Sequence, residues 1–297
     1  MTSALLLTVF IAALLSTLLY VILKFFQRWG VHNLHGLTFN YLTAASFSFF
    51  SNFNSNVQHF HEIPGFILAA LAIGMLFIVV FYIAALTAQN NGVAVTSIAG
   101  KMSMVIPIIA GIWLYHDGIN TLRIAGIGFA VLAVIQSSYK KEESSETNSR
   151  QKNRWLWLLP VLLFVGSGMV DTCIKISQYY FINANNQELY IALLFGSAGA
   201  MGVIASSYQY LKNGIRVTPK SIFGGILLGI TNFYSLQFLI KALAHPGAES
   251  SVIFAISNVM VVLISTLFAL LLFKEKLSKG NIIGLTLAII SIYILAN

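Results

Sequence analysis

The sequence holds little charge: only 9% of its 297 residues are Asp, Glu, Lys or Arg, while 58% are hydrophobic. Soluble domains carry roughly 25% charged residues, so this composition argues against a water-soluble fold and asks for lipid as solvent. Cysteine is nearly absent. The one residue, Cys173, can form neither an intrachain disulfide nor a metal cluster, and it says nothing of the redox compartment. There is no Walker sequence and no Gly-rich phosphate loop after a strand pattern, which removes nucleotide-driven transport. No cofactor is implied. Residues 1–23 carry no charge, no basic leading segment and no clear small-residue cleavage site, so they read as a retained helix rather than a signal peptide. Acidic residues are also scarce, 9 against 17 basic, for a net charge of +8. The basic residues sit in short loops beside apolar runs. That is the pattern of membrane orientation, not of a face that binds nucleic acid.

Against this background one stretch stands out. Residues 140–154, KKEESSETNSRQKNR, lack any aliphatic or aromatic side chain and divide the chain into halves 1–139 and 155–297. The rest resolves into ten apolar runs, at 4–26, 35–52, 63–87, 93–115, 122–139, 155–181, 187–211, 219–243, 248–273 and 280–296. A helix needs about 20 apolar residues to cross the hydrocarbon core. The runs are continuous, whereas barrel strands alternate over about 10 residues. The expected fold is therefore an all-α membrane protein of ten transmembrane helices. Lys and Arg favour the loops after odd-numbered runs, including Arg28, the 140–154 stretch, Lys212, Arg216, Lys220, Lys274, Lys276 and Lys279, whereas the loops after even-numbered runs hold only Arg123. By the positive-inside rule the first set faces the cytoplasm, and both termini face outward. Small residues recur at helix-packing spacing, as at Gly196/Ala200, Gly126/Ala130 and Gly225/Gly229, where they would let backbones approach.

The halves echo each other. Leu114–Gly126 reads LYHDGINTLRIAG and Leu272–Gly284 reads LFKEKLSKGNIIG, pairing Asp117 with Glu275 and Gly126 with Gly284 at an offset of 158. A weaker echo sets ILKFFQ (Ile22–Gln27) against CIKISQ (Cys173–Gln178), and so Lys24 against Lys175. Five helices per half is an odd number, so the second half enters from the opposite side. That is the inverted repeat of many secondary transporters. On these residues, and most closely on Lys274-Glu275-Lys276-Leu277-Ser278, the chain resembles the EamA-like, ten-helix branch of the drug/metabolite transporter superfamily. Asp117 stands where the family has Glu. Pro107 fits a mid-helix proline, but its counterpart in the second half is Ser265. The resemblance implies a central cavity inside helices 1–4 and 6–9, with helices 5 and 10 outside, and it implies export.

Ionisable groups deep in a membrane are costly and mark pathways. Lys24 and Lys241 lie near helix ends, where a lysine can snorkel. Lys101 lies eight residues into its run, about 12 Å deep, and has no acidic neighbour on its own helix. It is the leading candidate to hold an anionic substrate group. Asp171 has two readings: an i,i+4 ion pair with Lys175, or a site for a cationic group or a coupling proton. Pro107 removes the backbone bond to Ser103 and bares a carbonyl one turn from Lys101, or is simply a tolerated kink. Asn40, Tyr41, Tyr82, Gln178, Asn232, Gln237 and Asn258 could line the same cavity or hydrogen-bond between helices. His59-Phe60-His61-Glu62 lacks further ligands and reads as a solvated loop, not a metal site.

The expected function is that of a secondary transporter in an inner, or plasma, membrane. It would move a small polar metabolite, an amino acid or another carboxylate, by alternating access, as a monomer or homodimer. The alternatives are a membrane-embedded enzyme acting on a lipid-linked substrate, a multidrug exporter of the same superfamily, and a receptor or scaffold. The first run has no carboxylate, which weighs against organic-cation export.

Overall fold

The structure, a computed structural model, describes residues 3–51, 53–115, 121–138, 156–181, 186–245 and 250–296. The polar stretch 140–154 and Asp117 lie outside them, as does the side chain of Gln178. The described chain is helical: α1 (Ser3–Trp29), α2 (Asn33–Ser51), α3 (Phe53–Gln58), a 3-10 turn (Phe60–Glu62), α4 (Ile63–Asn90), α5 (Val93–Met102), α6 (Val105–Tyr115), α7 (Thr121–Ser138), α8 (Leu158–Phe181), α9 (Gln187–Asn213), α10 (Pro219–Leu243), α11 (Ser250–Phe273) and α12 (Lys279–Ala296). An apolar surrounding offers no hydrogen bonds, so each backbone N–H and C=O must find its partner within the chain, and a helix does this locally. Hydroxyls follow the same rule. Thr87, Thr96 and Thr266 each donate to the carbonyl four residues earlier.

Among the described residues seven helices are long and apolar enough to cross a membrane, and α7 and α12 supply shorter apolar segments. The helix α2 is more polar than these. It buries His35, Thr38, Asn40 and Ser48 between α9 and α10. The run at 93–115 is not one helix. It breaks at Ser103 and Met104 into α5 and α6, because Pro107 cannot donate to the Ser103 carbonyl. That carbonyl is not left bare: it accepts from the Ile106 N–H at 2.9 Å in a tighter turn.

The bundle is built from recurring pairs. The helix α1 packs on α10 and α11, and α8 packs on α4, α5 and α6. The helix α2 lies against α9 and α10, while α4 lies against α9. The last pair, α7 with α12, sits on the flank against α5 and α11. One core joins α1, α4, α8 and α9 around Leu23, Phe26, Ala85 and Leu189. A second joins α5, α7, α11 and α12 around Met102, Ala133, Val262 and Ile292.

Small residues set the closest approaches. A side chain at Gly225 would strike the Gly36 carbonyl, and one at Gly229 the Asn40 carbonyl, so α2 and α10 touch backbone to backbone. Gly126 faces Ile294 and Leu295, and Gly284 faces Ala133 and Ser137. Ser291 donates to the Gly126 carbonyl at 2.7 Å. The expectation for Gly196 is corrected. A side chain there meets nothing within 4 Å, because the packed face of α9 runs instead through Gly199 and Gly202, against Leu42 and Thr38.

These contacts predict opposite signs for one substitution at two sites. Gly284→Ala places a methyl against the Ala133 carbonyl and should destabilise by about 1–3 kcal/mol. Gly128→Ala meets nothing and should be neutral or stabilising by up to about 1 kcal/mol. Thermal unfolding in detergent reads both, and equal effects would contradict the packing.

Candidate functional site

The break in the fourth apolar run gathers the polar groups. Lys101 stands on the last turn of α5, and the Ser103 N–H at the break folds back to the Lys101 carbonyl. Ser103 also donates its hydroxyl to the Gly100 carbonyl at 2.7 Å. Across from them, on α8, lies Asp171, whose carboxylate interacts with Lys101 and Ser103. Tyr20 of α1 is the third neighbour: its hydroxyl lies directly over Gly100 and within electrostatic reach of Asp171. From the far side, Asn258 of α11 directs its amide to the Met104 sulfur at 3.2 Å. Asp171 is exposed although α1 and α5 converge on it, and Lys101 is half-buried. The Asp171 side chain is thus reachable from the surface of the bundle.

Lys101 and Asp171 are not locked together. Among the described residues the ion pair within 4.0 Å is Lys24 with Glu275. The two charges interact at longer range than a direct pair. Lys175, exposed one turn after Asp171, has interactions of its own.

The remaining sequence candidates are distributed elsewhere. Tyr41 is fully buried and donates its hydroxyl to the Phe77 carbonyl at 3.0 Å, among Phe77, Phe81 and Phe195. Asn232 donates to Asn40 at 3.3 Å across the α2–α10 seam. Tyr82 on α4 is exposed and Gln237 on α10 is half-buried. Thus Lys101, Asp171 and Asn258 come to the break, while Asn40, Tyr41 and Asn232 hydrogen-bond between helices. Among the described residues no group of three His, Cys, Asp or Glu could hold a metal. His59 and His61 each turn Nδ1 to a carbonyl of their own segment, at 2.9 Å.

At one end of α5 a second polar cluster closes the bundle. Glu275, in the α11–α12 loop, accepts from Lys24 of α1 and from the Val93 N–H at 3.2 Å. The carboxylate thus sits on the positive end of α5. Gly92 permits this approach. Its φ of 105° suits glycine, and a side chain would strike the Glu275 carboxylate. The Lys24 ammonium also lies 5.0 Å from the Phe273 ring centre. Snorkelling was the expected role of Lys24; the structure gives it this partner instead. Tyr20 and the Glu275 cap are what sequence reasoning missed. Tyr20 sits one turn before Lys24, but nothing in an apolar run distinguishes it from a packing tyrosine.

The fold and this polar interior define an all-helical chain whose long apolar helices suit a multi-pass membrane protein. Comparison with known proteins adds a sequence relative and a structural neighbour. An uncharacterized protein of Haemophilus influenzae is 27% identical over 293 residues, spanning 96% of this chain and 95% of its own. A solved crystal structure shares the fold, with a TM-score of 0.56 over 96% of both chains at 9% identity. No protein-family model matches the chain.

The Lys24–Glu275 pair makes a testable claim. Both side chains are 16% exposed, so removing one partner leaves a largely buried charge unpaired. Lys24→Met should destabilise by about 1–3 kcal/mol, and adding Glu275→Gln should cost less than the two separate losses combined, by about 1 kcal/mol or more. Simple additivity in thermal unfolding would contradict the pairing.

Proposed function

We propose that the chain is a ten-helix secondary transporter that moves a small polar metabolite, an amino acid or another carboxylate, through a site between α5, α8 and α1. One observation carries this reading: at a broken helix inside an apolar bundle, Lys101 and Asp171 lie within electrostatic reach of each other without forming a direct ion pair. Broken helices at mid-membrane, with charges held apart, are the architecture of substrate sites in transporters. Lys101 takes the carboxylate of the solute. Asp171 takes its ammonium group or a coupling proton, and Ser103 and Asn258 supply neutral hydrogen bonds.

The packing supports two inverted five-helix repeats, 1–139 and 155–297, joined by a cytoplasmic linker. In the flanking pair, Gly126 meets Leu295 and Gly284 meets Ser137. At the offset of 158, Gly126 corresponds to Gly284 and Ser137 to Leu295, so each contact maps onto the other. The helices α1 on α10 and α8 on α4 correspond in the same way, as do α2 on α10 and α9 on α4. Chain direction agrees as well. The α2–α10 contacts advance in parallel, from Gly36 with Gly225 to Asn40 with Gly229, whereas α7 and α12 run oppositely. Alternating crossings, ten in all, give those directions. This arrangement and the Glu275 loop also support membership of the EamA-like branch of the drug/metabolite transporters. In the inner membrane the basic loops face the cytoplasm.

The test is flux in proteoliposomes against a panel of solutes sorted by charge, with and without a proton gradient. Carboxylates or zwitterions should move. Lys101→Ala should weaken apparent affinity for them about tenfold or more, the value of one charge-assisted bond, while leaving thermal unfolding intact; unchanged flux removes Lys101 from the site. Asp171→Asn should flatten the pH dependence of transport, and an unaltered profile makes Asp171 a structural partner. Movement of hydrophobic cations alone would overturn the carboxylate assignment.

A further inference from the structure

A cavity of about 580 Å³ opens between α2, the last turns of α9 and the loop that leads to α10. It is separate from the Lys101 site. Its polar end is formed by Arg216, His35, Thr38, Ser206 and Ser207. Its walls are apolar, through Leu42, Val203, Leu211 and Val217, and these side chains are exposed on the outside of the bundle. In a membrane they meet acyl chains.

His35 is the unexplained group. It is fully buried in the cavity wall, and neither ring nitrogen has a hydrogen-bond partner. A buried polar atom left so costs about 1–3 kcal/mol, and such an atom calls for a bound water, ion or ligand. His32 stacks on it, with ring centres 4.5 Å apart, and its own Nδ1 is likewise unpartnered. Burial holds the His32 imidazole below its ordinary pKa, so it adds no charge at neutral pH. Arg216 is exposed at the mouth, with Lys212 and Lys220 on either side of the same loop, and none of the described lining residues is acidic.

We propose that this cavity binds an anionic phospholipid, with the headgroup phosphate between Arg216 and the His35 wall and an acyl chain in the trough along α2 and α9. Arg216 matches phosphate oxygens with a planar fork of donors. Ser207 adds an exposed hydroxyl, while Thr38, which already donates to the Leu34 carbonyl at 2.8 Å and lies 3.3 Å from the Ser206 hydroxyl, and the buried His35 ring close the wall behind it. Basic residues beside an apolar surface attract anionic lipid in just this way. A free phosphate would satisfy the polar end but leave the apolar trough without an occupant. The proposal does not depend on the transport reading.

The test is a lipid titration of the full-length protein in detergent, followed by thermal unfolding. Phosphatidylglycerol should stabilise more than phosphatidylcholine. Arg216→Gln should weaken the phosphatidylglycerol effect about tenfold. Ser207→Trp, on an exposed position that lines the trough, should abolish it by filling the cavity. Lys279→Gln, which removes one charge at the start of α12, should leave it unchanged. Equal stabilisation by both lipids overturns the proposal, as does an effect reproduced by inorganic phosphate alone. So does retention of the full effect in both cavity variants, or an equal loss in Lys279→Gln.

Discussion

An ionised group in hydrocarbon costs several kcal/mol unless it meets water or an opposite charge, and that cost arranges the interior of this bundle. Glu275 meets it fully: Lys24 supplies the opposite charge and the Val93 N–H supplies the open end of a helix. In doing so it ties α1, α5 and the α11–α12 loop to one point. Asp171 meets the same cost differently. It lies exposed on α8, with Lys101, Ser103 and Tyr20 around it. The first carboxylate is held by a direct ion pair and a helix end, and the second by longer-range contacts only.

The break at Ser103 and Met104 belongs to the same economy of hydrogen bonds. Pro107 withdraws one donor, and the chain compensates with a tighter turn in which Ile106 bonds to Ser103. This turn brings Lys101, Ser103 and Met104 to one level, facing α8 on one side and α11 on the other. Across the two halves, the contacts of Gly126 with Leu295 and of Gly284 with Ser137 between α7 and α12 are equivalent at the offset of 158.

Much of this was legible in the sequence. Continuous apolar runs announced helices, and the described residues of each run are helical apart from the break at Ser103 and Met104 and the turn at 156–157. The offset between Asp117 and Glu275 pointed to the pairing of Gly126 with Gly284, and the structure sets both at one interface. Lys101 and Asp171 were visible because charge is rare in apolar runs. Partnership was not legible. Lys24 and Glu275 are far apart in sequence, and only packing shows that they meet. Tyr41 and Asn40 could have lined a cavity or bonded between helices, and the structure shows inter-helix hydrogen bonds for both, a choice that periodicity alone does not make. The lone imidazole of His35 left no trace in the sequence, since a buried histidine without a partner reads like any other.

The central claim is that water and solute reach Lys101 inside the bundle. The most direct measurement uses Lys101→Cys in a chain whose own Cys173 is replaced by Ala, reconstituted in sealed vesicles and exposed to a membrane-impermeant thiosulfonate carrying a quaternary ammonium. The account predicts that the thiol reacts, that a transported carboxylate or zwitterion slows the reaction, and that the attached cation restores part of the lost flux. A thiol that stays unreactive from both sides of the membrane, in a protein that is folded, would contradict it.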